Sequence, residues 1–338
     1  MKIINLNQNK SNLNYYISAS LLEHIENNLE KNKKIILYLN KRWTFSSLVC
    51  EDCQYYYKCK NCDVSLTVHE KEWKVTCHLC WASWNIPLNC HKCHWTHLKK
   101  IWVWTKQIED SLKNYFKKEK VNIFRFDLDA IKNKKDKKEA LENLEKSDII
   151  IATKMITTGF DFENIGLIWV ILAEQEFWFP NYNSEEKAYI NLKQLIGRWN
   201  RVWEKTEILI QTFIPDNEII KSISEKNYKQ FFLDTLNERK LFNYPPFSEM
   251  ITLEYRNRNK QKSIDFMINL KNKLDIIKSI PLQGGDLEDI QIILNKESFK
   301  KYNQYFTKII LKWNNLREFL ENIKSEIYNN SNLSVIFE

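Results

Sequence analysis

The eight cysteines of this chain form four pairs of one kind, Cys50/Cys53, Cys59/Cys62, Cys77/Cys80 and Cys90/Cys93, and none lies outside them. Two residues between paired cysteines put both thiolates on one turn, where they reach a single ion at about 2.3 Å, and two such pairs complete a tetrahedral site. Four pairs therefore predict two zinc ions. The competing use is a disulfide framework. Confinement of every cysteine to one block, in a chain whose opening MKIINLNQNKSNLN has no apolar signal core, argues instead for a reducing compartment. Eight thiolates fill two sites and leave no position open to water, so the zincs are expected to be structural rather than catalytic. His69, His78, His91, His94 and His97 lie in or beside the block and are read as surface groups or neighbours of the ligands.

A second group with chemical potential is QLIGRWNRVW, residues 194–203, in which Arg198 and Arg201 stand three apart. Two such arginines alone describe a solvated helix face, so their meaning depends on the elements around them. Continuous apolar runs with polar borders occur at 34–40, 121–126, 147–153, 166–172 and 206–213. Runs without alternation suit strands buried on both faces, as in a parallel sheet. Helix-period stretches lie between them: about 18–31 with Leu21, Leu22, Ile25 and Leu29 on one face, about 105–118 with Ile108, Leu112 and Phe116, and one opening at Ser184 with Leu192 and Leu195. This alternation predicts an α/β lobe with a parallel sheet, over residues 1–45 and 99–217. The cysteine block interrupts it as an insertion over 46–98. From 218 onward come a linker and an order of strand 249–255, helix 262–276, strands 290–295 and 306–312, helix 315–328 and strand 332–337. That β-α-β-β-α-β order predicts a small ferredoxin-like α+β domain.

With 338 residues and 43% hydrophobic content, two domains with their own cores are expected. No apolar run approaches the roughly 20 residues of a membrane helix, and a cytoplasmic protein is expected. The formal charge of +8 suits a polyanionic partner, but it equally describes a lysine-rich solvated surface. Glycine is scarce, five residues in 338, where about 7% is usual. Tryptophan, by contrast, reaches twelve.

QLIGRWNR resembles the Q-x-x-G-R-x-x-R signature of superfamily 2 helicases. IIIATKMITTGFDFENI (149–165) is similar to the strand and loop that precede it, and LYLNKRW, the four cysteine pairs, IWVWTKQIED, FDLD and NYPPF follow the order of one family. From about residue 13 to its end the chain resembles the second half of the PriA family of replication-restart DNA helicases. The resemblance implies a second RecA-like lobe with a nested zinc module, one site from Cys50, Cys53, Cys90 and Cys93 and the other from Cys59, Cys62, Cys77 and Cys80. It implies that Arg198 and Arg201 face the phosphates of ATP with its magnesium, an arginine-finger role, that Gln194 and Gly197 shape that motif, and that Gly159 and Asp161 couple nucleotide state to DNA. Thr105, at an expected helix N-terminus, and Thr153 would contact DNA. The family acts as an ATP-dependent 3′-to-5′ helicase on branched and single-stranded DNA, with single-strand-binding protein and primosome or helicase-loader proteins as partners.

The sequence departs from the family pattern in two ways. Neither the phosphate-cradling G-x-x-x-x-G-K-S/T loop nor an acidic metal motif occurs in these 338 residues. The chain alone is therefore expected to be inactive without a first lobe, and the alternative is a non-enzymatic zinc-containing DNA-binding module or a helicase remnant. Secondly, Trp43, Trp81, Trp102, Trp104 and Trp203 stand where the family has glycine, and Trp95, Trp169, Trp199 and Trp313 where a small residue is ordinary. The residue after a cysteine turn, as Trp81 follows Cys80, needs a left-handed conformation that glycine adopts most easily. The pattern predicts UGA codons that are natively glycine but written as tryptophan. The competing reading is that the rings are real and stack on DNA bases.

Overall fold

In the computed structural model the chain is described except at residues 10, 41–45, 127–133, 154–162, 180, 200–205, 226, 279–289, 296–298, 302, 322, 325–326, 328 and 338, and except for the side chains of 134–137, 198–199, 299–301 and 317–318. It divides into two compact units. One comprises Met1–Tyr57 with Ile86–Phe231, the other Lys58–Asn85 with Phe232–Glu338.

The first unit is built on a six-stranded sheet in the order Lys2–Asn5, Glu207–Thr212, Ile165–Val170, Lys34–Tyr38, Ile149–Ala152, Ile123–Phe126, with every neighbouring pair parallel. Past Lys34 its central strands are buried, Ile35, Ile36, Leu37, Ile149, Ile150 and Ile151 all at zero exposure, which is why they read as unbroken apolar runs. Helix Ala19–Glu30 starts where the Ser18 hydroxyl accepts from the Leu21 N–H, and it buries Leu21, Leu22 and Ile25. Helices Thr105–Tyr115 and Ser184–Trp199 bury Ile108 with Leu112, and Ala188 with Leu192 and Leu195.

Two elements escape periodicity. Strand Lys2–Asn5 has only four residues and lies at the sheet edge. Helix Lys134–Lys146, KKDKKEALENLEK, buries only Ala140 and Leu144 among its described side chains, too few to show an apolar stripe. Gly166 sits at a register shift between strands Ile165–Val170 and Lys34–Tyr38; a Cβ there would overlap Asn28 Oδ1 and lie 2.8 Å from the Lys33 Cβ, so close packing demands glycine.

The second unit holds an antiparallel sheet in the order Gln291–Leu294, Gln304–Trp313, Glu249–Asn257, Leu333–Phe337, with Phe299–Lys301 adding a short pairing to Gln304–Trp313. Helix Lys260–Lys278 packs Met267, Leu270 and Leu274 into the same core as Leu253, Ile309 and Leu311, and helix Leu316–Glu321 adds Phe319. The β-α-β-β-α-β order expected from the sequence is present with one addition, the short strand Phe299–Lys301 between the two middle strands, and with the second helix described over Leu316–Glu321 rather than 315–328. A three-stranded antiparallel sheet, Thr67–His69, Lys74–Thr76 and Ser83–Asn85, completes the unit. Among the described residues no helix is long and apolar enough to cross a membrane.

Candidate zinc centres and motor-lobe residues

All four cysteine pairs fold into the same turn. The N–H of each leading cysteine donates to the carbonyl five residues on: Cys50 to Tyr55 at 2.9 Å, Cys59 to Val64 at 2.8 Å, Cys77 to Ala82 at 2.9 Å, Cys90 to Trp95 at 2.7 Å. The residue after each second cysteine donates back to the leading cysteine's carbonyl: Gln54 at 3.0 Å, Asp63 at 2.8 Å, Trp81 at 2.8 Å, His94 at 2.9 Å. These four residues are left-handed, with φ of 62°, 52°, 63° and 64°. Reversing the chain there aims both thiols of a pair to one side, and the expectation for Trp81 is met at all four turns.

The tertiary structure then joins turns in pairs. Cys50, Cys53, Cys90 and Cys93 form one cluster and Cys59, Cys62, Cys77 and Cys80 the other, with the sulfurs of each within 4.8 Å of one another. Sγ–Sγ separations are 3.6 Å for Cys50–Cys93 and for Cys53–Cys90, and 3.5 Å for Cys59–Cys80. A disulfide needs about 2.05 Å, whereas sulfurs at about 2.3 Å from a tetrahedral zinc stand roughly 3.8 Å apart. Both donor sets fit structural zinc and leave no open ligand position. Burial pushes the Cys50 thiol up to about 12, the opposite of what a ligand needs, and a bound dication supplies the field that reverses it.

The first cluster belongs to the first unit, where strands Ser47–Cys50 and Leu98–Ile101 pair antiparallel at its base. Tyr57 braces it, its O–H donating to the Asn89 carbonyl at 3.3 Å while its oxygen accepts the His91 N–H at 3.3 Å. The second cluster belongs to the second unit. There Tyr244 donates to the Cys62 carbonyl at 2.9 Å, and His69 and His78 meet Nε2 to Nε2 at 3.1 Å. None of the five histidines named from the sequence is a member of either cluster.

Of the residues expected from the sequence to serve a motor, Gln194 and Gly197 are exposed on helix Ser184–Trp199, and a Cβ at Gly197 would meet nothing within 4 Å. Arg198 lies in the last turn of that helix with its side chain outside the described residues, as are Arg201, Gly159 and Asp161 altogether. Thr105 opens helix Thr105–Tyr115, 2% exposed, and Thr153 follows strand Ile149–Ala152, 9% exposed. Trp43 and Trp203 are outside the described residues, as is the Trp199 side chain. Trp102 and Trp104 pack edge to face at 4.7 Å before that helix, and Trp169 is fully buried with no partner for its indole N–H among the described residues.

Sequence reasoning missed the buried acids of the turn Ala173–Glu176. Glu176 accepts from the Tyr38 hydroxyl at 2.5 Å and from Asn191 Nδ2 at 2.9 Å, tying helix Ser184–Trp199 to the sheet. Glu174 accepts from the Thr212 hydroxyl at 2.7 Å, and burial lifts its carboxyl to about 7. Nothing in AEQEFWF marks these carboxylates as interior, because burial of an acid depends on partners far along the chain.

Residues 90–202 match the helicase conserved C-terminal domain, and residues 59–83 match the PriA DNA helicase Cys-rich region (CRR) domain. Fold and site define the class, a helicase C-terminal lobe that carries zinc-binding cysteine clusters. The chain belongs to the PriA family of replication restart proteins. It is similar to the replication restart protein PriA of Borreliella burgdorferi, 32% identical over 81% of this chain and 41% of that protein. It is likewise similar to those of Bacillus subtilis, 30% identical over 68% of this chain and 29% of that protein, and Haemophilus influenzae, 30% identical over 70% and 32%. The matched region thus spans well under half the length of these relatives.

Proposed function

We propose that the chain supplies the second motor lobe, zinc clusters and C-terminal domain of an ATP-dependent 3′-to-5′ DNA helicase that recognises branched DNA at stalled forks and restarts replication through primosome assembly. The observation that carries this reading is the joint presence of a helicase C-terminal domain and a PriA-type cysteine-rich region in one chain. Arg198 and Arg201 would stabilise charge on the transferring phosphate of ATP and its magnesium, held against a first lobe bearing the phosphate loop. Gln194 and Gly197 would shape that surface, and the open space beside Gly197 leaves room for a partner. Gly159 and Asp161 would couple nucleotide state to DNA. Thr105 is buried, so a DNA phosphate there would be met chiefly by the N–H groups of the helix's first turn; Thr153 would also contact DNA. Single-strand-binding protein and helicase-loading proteins are the expected protein partners.

The test is to add a separately produced first-lobe polypeptide and measure ATP hydrolysis stimulated by fork DNA. Hydrolysis should appear, and Arg201→Ala should reduce it by about 10³-fold. Fork binding without any hydrolysis would replace the motor by a zinc-containing DNA-binding module.

A further inference from the structure

Among the described residues one lysine is buried and no arginine is: Lys312, 5% exposed, near the end of strand Gln304–Trp313. Its ammonium donates to the Phe242 carbonyl at 3.0 Å and stands 3.7 Å from the centroid of the Tyr244 ring. No carboxylate among the described residues pairs with it. An ammonium taken out of water without an opposite charge is strongly disfavoured, and neither a carbonyl nor a ring face replaces a full counter-charge.

The second cysteine cluster has the complementary problem. Cys59, Cys62 and Cys77 are 2%, 4% and 0% exposed. Four thiolates around a divalent zinc carry a net charge of about −2, which is as costly to bury alone as the ammonium. Tyr244 touches both partners, with its ring under Lys312 and its hydroxyl on the Cys62 carbonyl. Burial lowers the Lys312 ammonium's pKa, while negative charge at Cys62 and Cys80 would act in the opposite direction.

We propose that Lys312 is the counter-ion of the Cys59/Cys62/Cys77/Cys80 zinc cluster, so that metal held there and the seating of strand Gln304–Trp313 stabilise each other. The coupling is reciprocal: whatever the lysine adds to zinc retention, zinc adds to the fold around the lysine. The first cluster is an internal control, braced by Tyr57 with no buried cation among the described residues.

The experiment uses the full chain loaded with zinc, a chromophoric chelator to strip the metal, and an alkylating reagent with peptide mass spectrometry to report which cysteines lose protection. Lys312→Met should speed the exposure of Cys59, Cys62, Cys77 and Cys80 by on the order of tenfold, as loss of an outer partner does at other metal sites. Cys50, Cys53, Cys90 and Cys93 should keep the wild-type rate, and Lys312→Arg should restore most of the protection. Wild-type rates at all eight cysteines in Lys312→Met would overturn the proposal. So would equal acceleration at both clusters, which would make Lys312 a general element of the fold, or a wild-type chain that retains zinc only at the first cluster.

Discussion

The Tyr244 phenol donates to the Cys62 carbonyl at 2.9 Å, both residues being buried, so a side chain of the NYPPF segment holds a turn that presents zinc-ligating thiols. Tyr244→Phe leaves that acceptor without a donor. Stability of the zinc-loaded chain in chemical denaturation should fall by about 1–3 kcal/mol. An unchanged midpoint would show that the bond contributes nothing.

Trp81 has φ of 63° while its ring packs edge to face on His78 at 4.8 Å. Trp81→Gly and Trp81→Ala both lose the ring, but only glycine relaxes the left-handed backbone. The glycine variant should be the more stable of the two by about 1 kcal/mol in thermal unfolding. Equal stability would mean that the turn does not strain its residue.

The same logic addresses the glycine deficit. Trp169 is fully buried with an indole N–H that has no partner among the described residues, and Trp73 is a further tryptophan at positive φ, 52°. Peptide mass spectrometry of protein from its own cells should weigh positions 81, 102 and 104 as glycine. Tryptophan masses at all three would leave base stacking as the account of the exposed rings.

Glu174 provides a pH signature. Burial raises its carboxyl to about 7 from 4.5, so the folded state holds a proton that the unfolded chain has released. Its contribution to stability is complete below the unfolded value, is lost as pH rises through about 7, and does not return above it. Glu174→Gln should flatten that decline, shifting the stability difference from wild type by up to about 3 kcal/mol between about pH 5 and pH 8. Parallel pH profiles for the two proteins would refute it.

The zinc clusters use separate ligands in separate units. Cys50→Ser should therefore hold one zinc per chain by elemental analysis instead of two, with Cys59, Cys62, Cys77 and Cys80 still protected from alkylation. Loss of both metals would show that the clusters fold as one.

The zinc turns were legible in the sequence because their chemistry is local: two residues between cysteines set the reach of both thiolates. The parallel sheet was legible for a related reason, since strands covered on both faces carry their burial in consecutive residues such as Ile149, Ile150 and Ile151. Strand Lys2–Asn5 and helix Lys134–Lys146 were not, because one is too short and the other too charged to leave a period. Lys312 and Glu174 read as ordinary polar residues in their own segments. Only the tertiary structure decided that one is buried near a thiolate cluster contributed from residues 59–80 and the other beneath Thr212, because the field at a buried charge is set by neighbours that the chain brings from far away.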